Sequence, residues 1–173
     1  MTKSEIITTT SGVRFYYAYG SNLSLKQMAR RCPDARPVRK LTIRGWKLVF
    51  RGSADIQPGT RDDVVHGALY AMSPEDEDLM DDYEGVAGNR QGLYRKVDFK
   101  INATGEEAFF YVMNRGDVCP PSETYYTTIL RGFRDWGLPV GALRKAAKLA
   151  ATTADAMRAQ GKVVRGLGRG SRK

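Results

Sequence analysis

Between Phe15 and Leu23 the chain passes from an aromatic, β-type run, Phe15-Tyr-Tyr-Ala-Tyr19, through Gly20-Ser-Asn22 into a segment of helical character. No other stretch constrains the fold as much. A strand that halts at a glycine and turns at once into a helix fixes the order of two elements and presents backbone N–H groups at the junction. Gly20 permits a sharp turn, Ser21 and Asn22 add short hydrogen-bonding side chains, and Ser24 followed by Gln27 has capping-box spacing for a helix over Leu25 to Arg31. A carboxylate or a developing oxyanion fits such a junction. A turn with no ligand fits it too, because short Gly/Ser/Asn turns are common connections.

The remaining elements follow from periodicity. Val13 to Tyr19, Leu41 to Arg51 and Val64 to Met72 read as strands, and Tyr94 to Ile101 with Ala108 to Asn114 reads as a hairpin across Asn102-Ala-Thr-Gly105. A second helix opens at Ser73-Pro74 and stops at Gly85. A third follows Pro120-Pro121-Ser122, with Tyr126, Ile129, Leu130 and Phe133 on its apolar face. Two Ala-rich helical stretches come after Gly137-Leu-Pro139, with Gly161 as their stop. Strands separated by unequal helices and a hairpin predict an α+β fold with a mixed, barrel-like sheet flanked by helices. With 173 residues and 42% hydrophobic content, one domain over residues 1–160 is expected, followed by a basic, disordered tail over 161–173.

A net charge of +9 suggests nucleic acid until the charges are located. Nine of the 28 Lys/Arg and one of the 19 acids lie between Arg144 and Lys173, which leaves a nearly neutral body of 19 basic and 18 acidic residues. The tail has no aromatic residues to stack on bases, so nucleic acid is not expected as a partner beyond weak phosphate attraction. A solvated, dispensable end accounts for the same composition. No apolar run approaches the length of a membrane span, and Met1-Thr-Lys-Ser-Glu-Ile-Ile-Thr8 lacks the apolar region of a signal peptide; a cytoplasmic protein with no membrane partner is expected. Cys32 and Cys119, far apart and outside any C-x-x-C pair, read as two reduced thiols.

The catalytic inventory is sparse. The single histidine, His66, falls inside a strand and reads as an ordinary strand residue; there is no G-x-S-x-G elbow, no H-E-x-x-H and no P-loop. Ser21 has no evident His or Lys partner to activate it, so neither covalent nor metal chemistry is expected. Acids are plentiful: seven lie between Glu75 and Glu84. Those in the first turn complement the helix dipole, whereas Asp81, Asp82 and Glu84 lie near its negative end. With Leu79, Met80 and Tyr83 as the apolar stripe, Glu84 falls at the rim, where partial burial, like charges and the helix terminus all disfavour ionisation. A raised pKa suits a residue that takes and returns a proton. A solvated acidic helix is the plainer alternative for Glu84, and more so for the other six.

These residues also occur in an ordered set. Tyr19-Gly20-Ser21-Asn22-Leu23, Asp82-Tyr83-Glu84-Gly85-Val86, Gly92-Leu93-Tyr94, Tyr111-Val112-Met113, Pro120-Pro121-Ser122-Glu123-Thr124-Tyr125 and Gly137-Leu138-Pro139 resemble the γ-glutamylcyclotransferases in type and order, from about Phe15 to Leu149. The resemblance implies a compact α+β fold around a mixed barrel, no metal or organic cofactor, and conversion of a small γ-glutamyl amino acid to 5-oxoproline with release of the amino acid. It also implies roles. Glu84 would be the general acid/base, the loop Tyr19, Gly20, Ser21, Asn22 and Leu23 would hold the γ-glutamyl group, and Tyr125 would contribute to substrate binding. Read on its own, Tyr125 near the start of the third helix is equally a packed helix tyrosine.

The implied reaction suits the inventory, because the substrate's own α-amine attacks its γ-carbonyl and the protein supplies no nucleophile. Two other readings remain open at the level of sequence. One is a cyclotransferase acting on γ-glutamyl amines or on γ-glutamyl-acyl intermediates; the other is a catalytically silent module whose basic tail contacts nucleic acid. Neither the leaving group nor the oligomeric state is set by the sequence.

Overall fold

The aromatic run becomes β1 (Arg14–Ala18), the middle strand of a five-stranded sheet in the computed structural model, which describes residues 13–86 and 92–166. β1 pairs antiparallel with β5 (Val64–Met72), Tyr16 opposite Tyr70, and parallel with β7 (Glu107–Met113), Phe15 opposite Ala108. β2 (Arg36–Arg44) extends the sheet beyond β5, and β6 (Tyr94–Lys100) beyond β7, to give the order β2-β5-β1-β7-β6. Central placement explains the composition of β1: Tyr16, Tyr17 and Ala18 are buried, and the Tyr17 hydroxyl donates to the Val65 carbonyl at 2.8 Å, so a ring on a buried strand keeps a partner for its polar end.

The fold is α+β with a mixed sheet, as expected, but among the described residues the sheet does not close into a barrel. The segment Leu41 to Arg51, read as one strand, is two. Gly45 adopts φ +78°, a left-handed conformation that breaks the ladder and redirects the chain. Beyond it, β3 (Trp46–Arg51) leaves the sheet and pairs with β4 (Ser53–Pro58) as a separate two-stranded ribbon. The ribbon is held to the sheet by packing, including Trp46 against Phe110 edge-on with centroids 5.0 Å apart, a pair that contributes about 1 kcal/mol beyond its buried area.

Four α-helices surround these strands among the described residues. α1 (Leu25–Arg31) starts where the Ser24 hydroxyl accepts from the Gln27 N–H; α2 (Pro74–Glu84) is capped by Ser73 and ended by Gly85 at φ 72°. α3 (Glu123–Asp135) is capped by Ser122. The two Ala-rich stretches are one helix, α4 (Val140–Ala159), which packs on β3 and α3 through Leu143, Ala146, Ala150 and Ala154. Within it the Thr152 hydroxyl donates back to the Lys148 carbonyl at 3.0 Å.

The start of the tail is bonded to the body. The Arg165 N–H donates to Asp117 Oδ2 at 2.9 Å and the Asp117 N–H to the Arg165 carbonyl at 3.2 Å, which secures residues 162–166 beside Cys119. Tail residues 167–173 and the N-terminal residues considered above for a leader lie outside the described residues. No helix among the described residues is long and apolar enough to cross a membrane.

Candidate active site

The strand-to-helix junction closes as one 3-10 turn, Ser21–Leu23, in which Leu23 N donates to the Gly20 carbonyl at 3.0 Å and Ser24 N to that of Ser21 at 3.1 Å. The N–H groups of Ser21 and Asn22 take no part in these bonds. Gly20 has φ −114° and ψ −139°. A Cβ there would lie 3.1 Å from Ala54 Cβ and 3.6 Å from the Tyr125 hydroxyl. Asn22 is buried; its Nδ2 donates to the Tyr16 hydroxyl at 2.8 Å, and its Oδ1 accepts from Arg31, whose guanidinium also lies 3.8 Å from the centre of the Tyr83 ring.

Glu84 is the last residue of α2, and the helix is turned differently from the sequence expectation. Its buried face runs through Asp76, Met80 and Glu84 at i, i+4, i+8, whereas Leu79 and Tyr83 are exposed. The cause lies in the sheet. Lys96 of β6 places its ammonium 2.6 Å from both Glu77 Oε1 and Asp81 Oδ2, and Arg14 of β1 reaches Glu77 Oε1 at 2.6 Å. These cations draw one acidic flank of α2 onto the strands and roll Glu84 inward to 6% exposure, deeper than the rim.

Tyr19, Gly20, Ser21, Asn22, Glu84 and Tyr125 line one cleft. Leu23 does not line it. Its side chain is fully buried, and its carbonyl accepts from Trp136 Nε1 at 2.9 Å, so it anchors the turn beneath α3. Four lining residues went unassigned in the sequence: Tyr16, Ala54, Tyr94 and Tyr111. The three tyrosines share a signal that was present, since a tyrosine on a buried strand must find a partner for its hydroxyl and often faces a polar cavity.

The backbone of Ala54 ties two walls together: its N–H donates to the Tyr125 hydroxyl oxygen at 3.1 Å and its carbonyl accepts from the Tyr94 hydroxyl at 3.3 Å. Behind it the buried Asp55 accepts from the Met113 N–H at 2.8 Å and from Arg51 Nε at 2.9 Å, fastening the ribbon to β7. On the sheet side, the Tyr19 hydroxyl donates to the Tyr111 carbonyl and the Tyr111 hydroxyl to Asp81 Oδ1 at 2.6 Å. Burial, and then neighbouring negative charge, push the Tyr19 phenol up; burial, and then Asp81, do the same to Tyr111. Glu84 contributes to both, so both phenols keep their protons within range of its charge.

His66 lies outside this cleft, its Nδ1 3.0 Å from the Thr42 hydroxyl across the β2–β5 pair. Cys32 and Cys119 are both free and buried.

The arrangement offers a buried carboxyl facing phenols and amide groups, suited to proton transfer on a small polar ligand. The AIG2-like family matches residues 64–143. The γ-glutamylcyclotransferase of Homo sapiens is 30% identical over 142 residues, covering 72% of this chain and 72% of that protein; that of Bos taurus is 29% identical over 154 residues, covering 79% of each. A solved structure described as a γ-glutamyl cyclotransferase superposes with a TM-score of 0.66 at 25% identity, over 78% of this chain and 86% of that one. On the strength of this shared sequence and shared fold, the chain belongs to the γ-glutamylcyclotransferase family of enzymes.

Proposed function

We propose that the protein cyclises γ-glutamyl amino acids to 5-oxoproline and releases the amino acid. The observation that carries this reading is the meeting of Glu84 with the Tyr19–Asn22 turn at one cleft, from elements more than 60 residues apart in sequence. Relatives named γ-glutamylcyclotransferase support it.

In the proposed reaction the γ-glutamyl chain folds back so that its α-amino nitrogen attacks its γ-carbonyl carbon. Nucleophile and electrophile arrive tethered, which supplies effective molarities of about 10⁵ M or more when the geometry is right. Glu84 takes a proton from the attacking amine as the C–N bond of the five-membered ring forms. It returns that proton to the nitrogen of the departing amino acid as the original amide bond breaks. One carboxyl group thus serves both transfers. The amides of the turn at Ser21 and Asn22 orient the glutamyl carboxylate or carbonyl oxygen, and Tyr125 lies against the same ligand from α3.

The test is to incubate the protein with γ-glutamyl dipeptides, γ-glutamyl amines and glutathione and to measure 5-oxoproline. Turnover of at least one γ-glutamyl amino acid is expected. Absence of 5-oxoproline from every member of the panel would reject the reaction, and release from the amines alone would move the protein to a different leaving group.

A further inference from the structure

We propose that Asp81 is a positioning residue of the cleft: by holding the Tyr111 hydroxyl proton, it turns the lone pairs of that oxygen toward the ligand, as the acceptor that docks the substrate's α-amino group. The inference rests on the reading of Glu84 and the cleft given above.

Tyr111 Oη lies 2.6 Å from Asp81 Oδ1, and Asp81 Oδ2 lies 2.6 Å from Lys96 Nζ. A carboxylate paired with an ammonium only accepts hydrogen bonds, and a phenol has one proton, so Tyr111 must be the donor and its proton is committed. Lone pairs are all that Oη has left to offer. Tyr125 is set the other way, because its oxygen already accepts from the Ala54 N–H, which leaves its own proton to be donated. An acceptor phenol and a donor phenol therefore line the same cleft, a match for a ligand that carries an amino group and carbonyl or carboxylate oxygens.

Position and rigidity fit the role. The Tyr111 phenol responds to the charge of Glu84, so the acceptor and the proposed proton carrier border the same volume. An amine held by Tyr111 is held beside the group that deprotonates it. Lys96, which fixes Asp81, is itself fixed by Glu77, and Glu77 by Arg14, in a chain of part-buried ion pairs. None of these charged residues lines the cleft. Their influence on the ligand passes through Tyr111.

Asp81→Asn should reverse the polarity. Lys96 keeps the amide oxygen, the amide N–H₂ then faces Tyr111, and the phenol proton must turn into the cleft toward the ammonium. Binding is measured by calorimetry on Glu84→Gln protein, which removes turnover, with γ-glutamyl-alanine and its deamino analogue glutaryl-alanine. Asp81→Asn in that background is expected to weaken γ-glutamyl-alanine about tenfold while glutaryl-alanine stays within about twofold. Tyr111→Phe, which keeps the ring and the packing, should show the same selective loss, and Asp81→Asn should add nothing to it. Equal weakening of both ligands, no weakening of either, or additive effects of the two substitutions would overturn the inference. Failure of γ-glutamyl-alanine to bind the Glu84→Gln protein, together with no 5-oxoproline from wild type, would instead overturn the reading of the cleft and the inference with it.

Discussion

The Tyr125 hydroxyl oxygen accepts the Ala54 N–H at 3.1 Å, which seats the first turn of α3 on the ribbon strand β4. Gly20 lies against this pair, with its absent Cβ 3.1 Å from Ala54 Cβ and 3.6 Å from the hydroxyl. Three segments far apart in sequence thus touch at one point on the cleft wall, where another carbon fits only if its neighbour gives way by a few tenths of an ångström.

Gly20→Ala is expected to raise KM about tenfold and to cost on the order of 1 kcal/mol of stability, since the added methyl pushes on Ala54 and through it on Tyr125. The companion variant Gly20→Ala/Ala54→Gly removes the carbon it meets and should recover part of the lost KM. Steady-state kinetics and thermal melts of both proteins check this; equal KM values in the two would show that crowding at Ala54 is not the cause.

Glu84→Gln should retain the melting temperature and ligand binding but lose at least about two orders of magnitude in turnover, because the amide is nearly isosteric and cannot shuttle a proton. A variant that forms 5-oxoproline at close to the wild-type rate would remove Glu84 from the mechanism.

His66 supplies a pH test, being the only histidine in the chain. Burial lowers its pKa below the ordinary 6.5. A base whose folded pKa is depressed contributes stability above its unfolded pKa and loses it as the pH falls from 6.5 toward the folded value, since the unfolded chain binds the proton first. NMR should show the single imidazole titrating below 6.5, and His66→Gln should lose less stability than wild type between pH 7 and pH 5.5. The pH–rate profile should be the same in both proteins, because His66 does not line the cleft.

Much of this is legible in the sequence. Ser24 with Gln27, Ser73-Pro74 with Gly85, and Ser122 marked three helices because capping is local chemistry written in neighbouring residues. β4 was missed for the opposite reason. Ser53-Ala-Asp-Ile-Gln-Pro58 has little β-propensity, and it is a strand because Asp55 finds the Met113 N–H and Arg51, partners that no local pattern announces. The rotation of α2 was hidden likewise: Leu79 and Tyr83 look like core until Lys96 and Arg14 arrive from the sheet and claim Glu77 and Asp81. Six of the seven candidate site residues meet at the cleft, and Leu23 is separated from them by the side chain's own preference for burial.

Two truncations divide the tail. Removing residues 167–173 is expected to leave the melting temperature and turnover unchanged. Removing 162–173 also breaks both Asp117–Arg165 hydrogen bonds and takes away Gly166, which packs so closely on Cys119 that a Cβ would lie 2.0 Å from its sulfur. The longer deletion should lower the melting temperature and speed modification of Cys119 by a thiol reagent. Equal rates in the two truncated proteins would show that residues 162–166 do not cover the cysteine.

The parallel pairing of β1 with β7 has a consequence for how the chain comes into being. A ribosome delivers β1 first, and β5 can flank it on one side, but the other edge stays bare until Glu107–Met113 has emerged. Through that interval the nascent chain exposes unpaired N–H and C=O groups on its most aromatic strand, the kind of edge that recruits other chains. The cleft needs Tyr125, later still, so catalytic competence arrives only with the closing of contacts that span about a hundred residues. On refolding from denaturant, recovery of activity should therefore lag behind the return of helical signal.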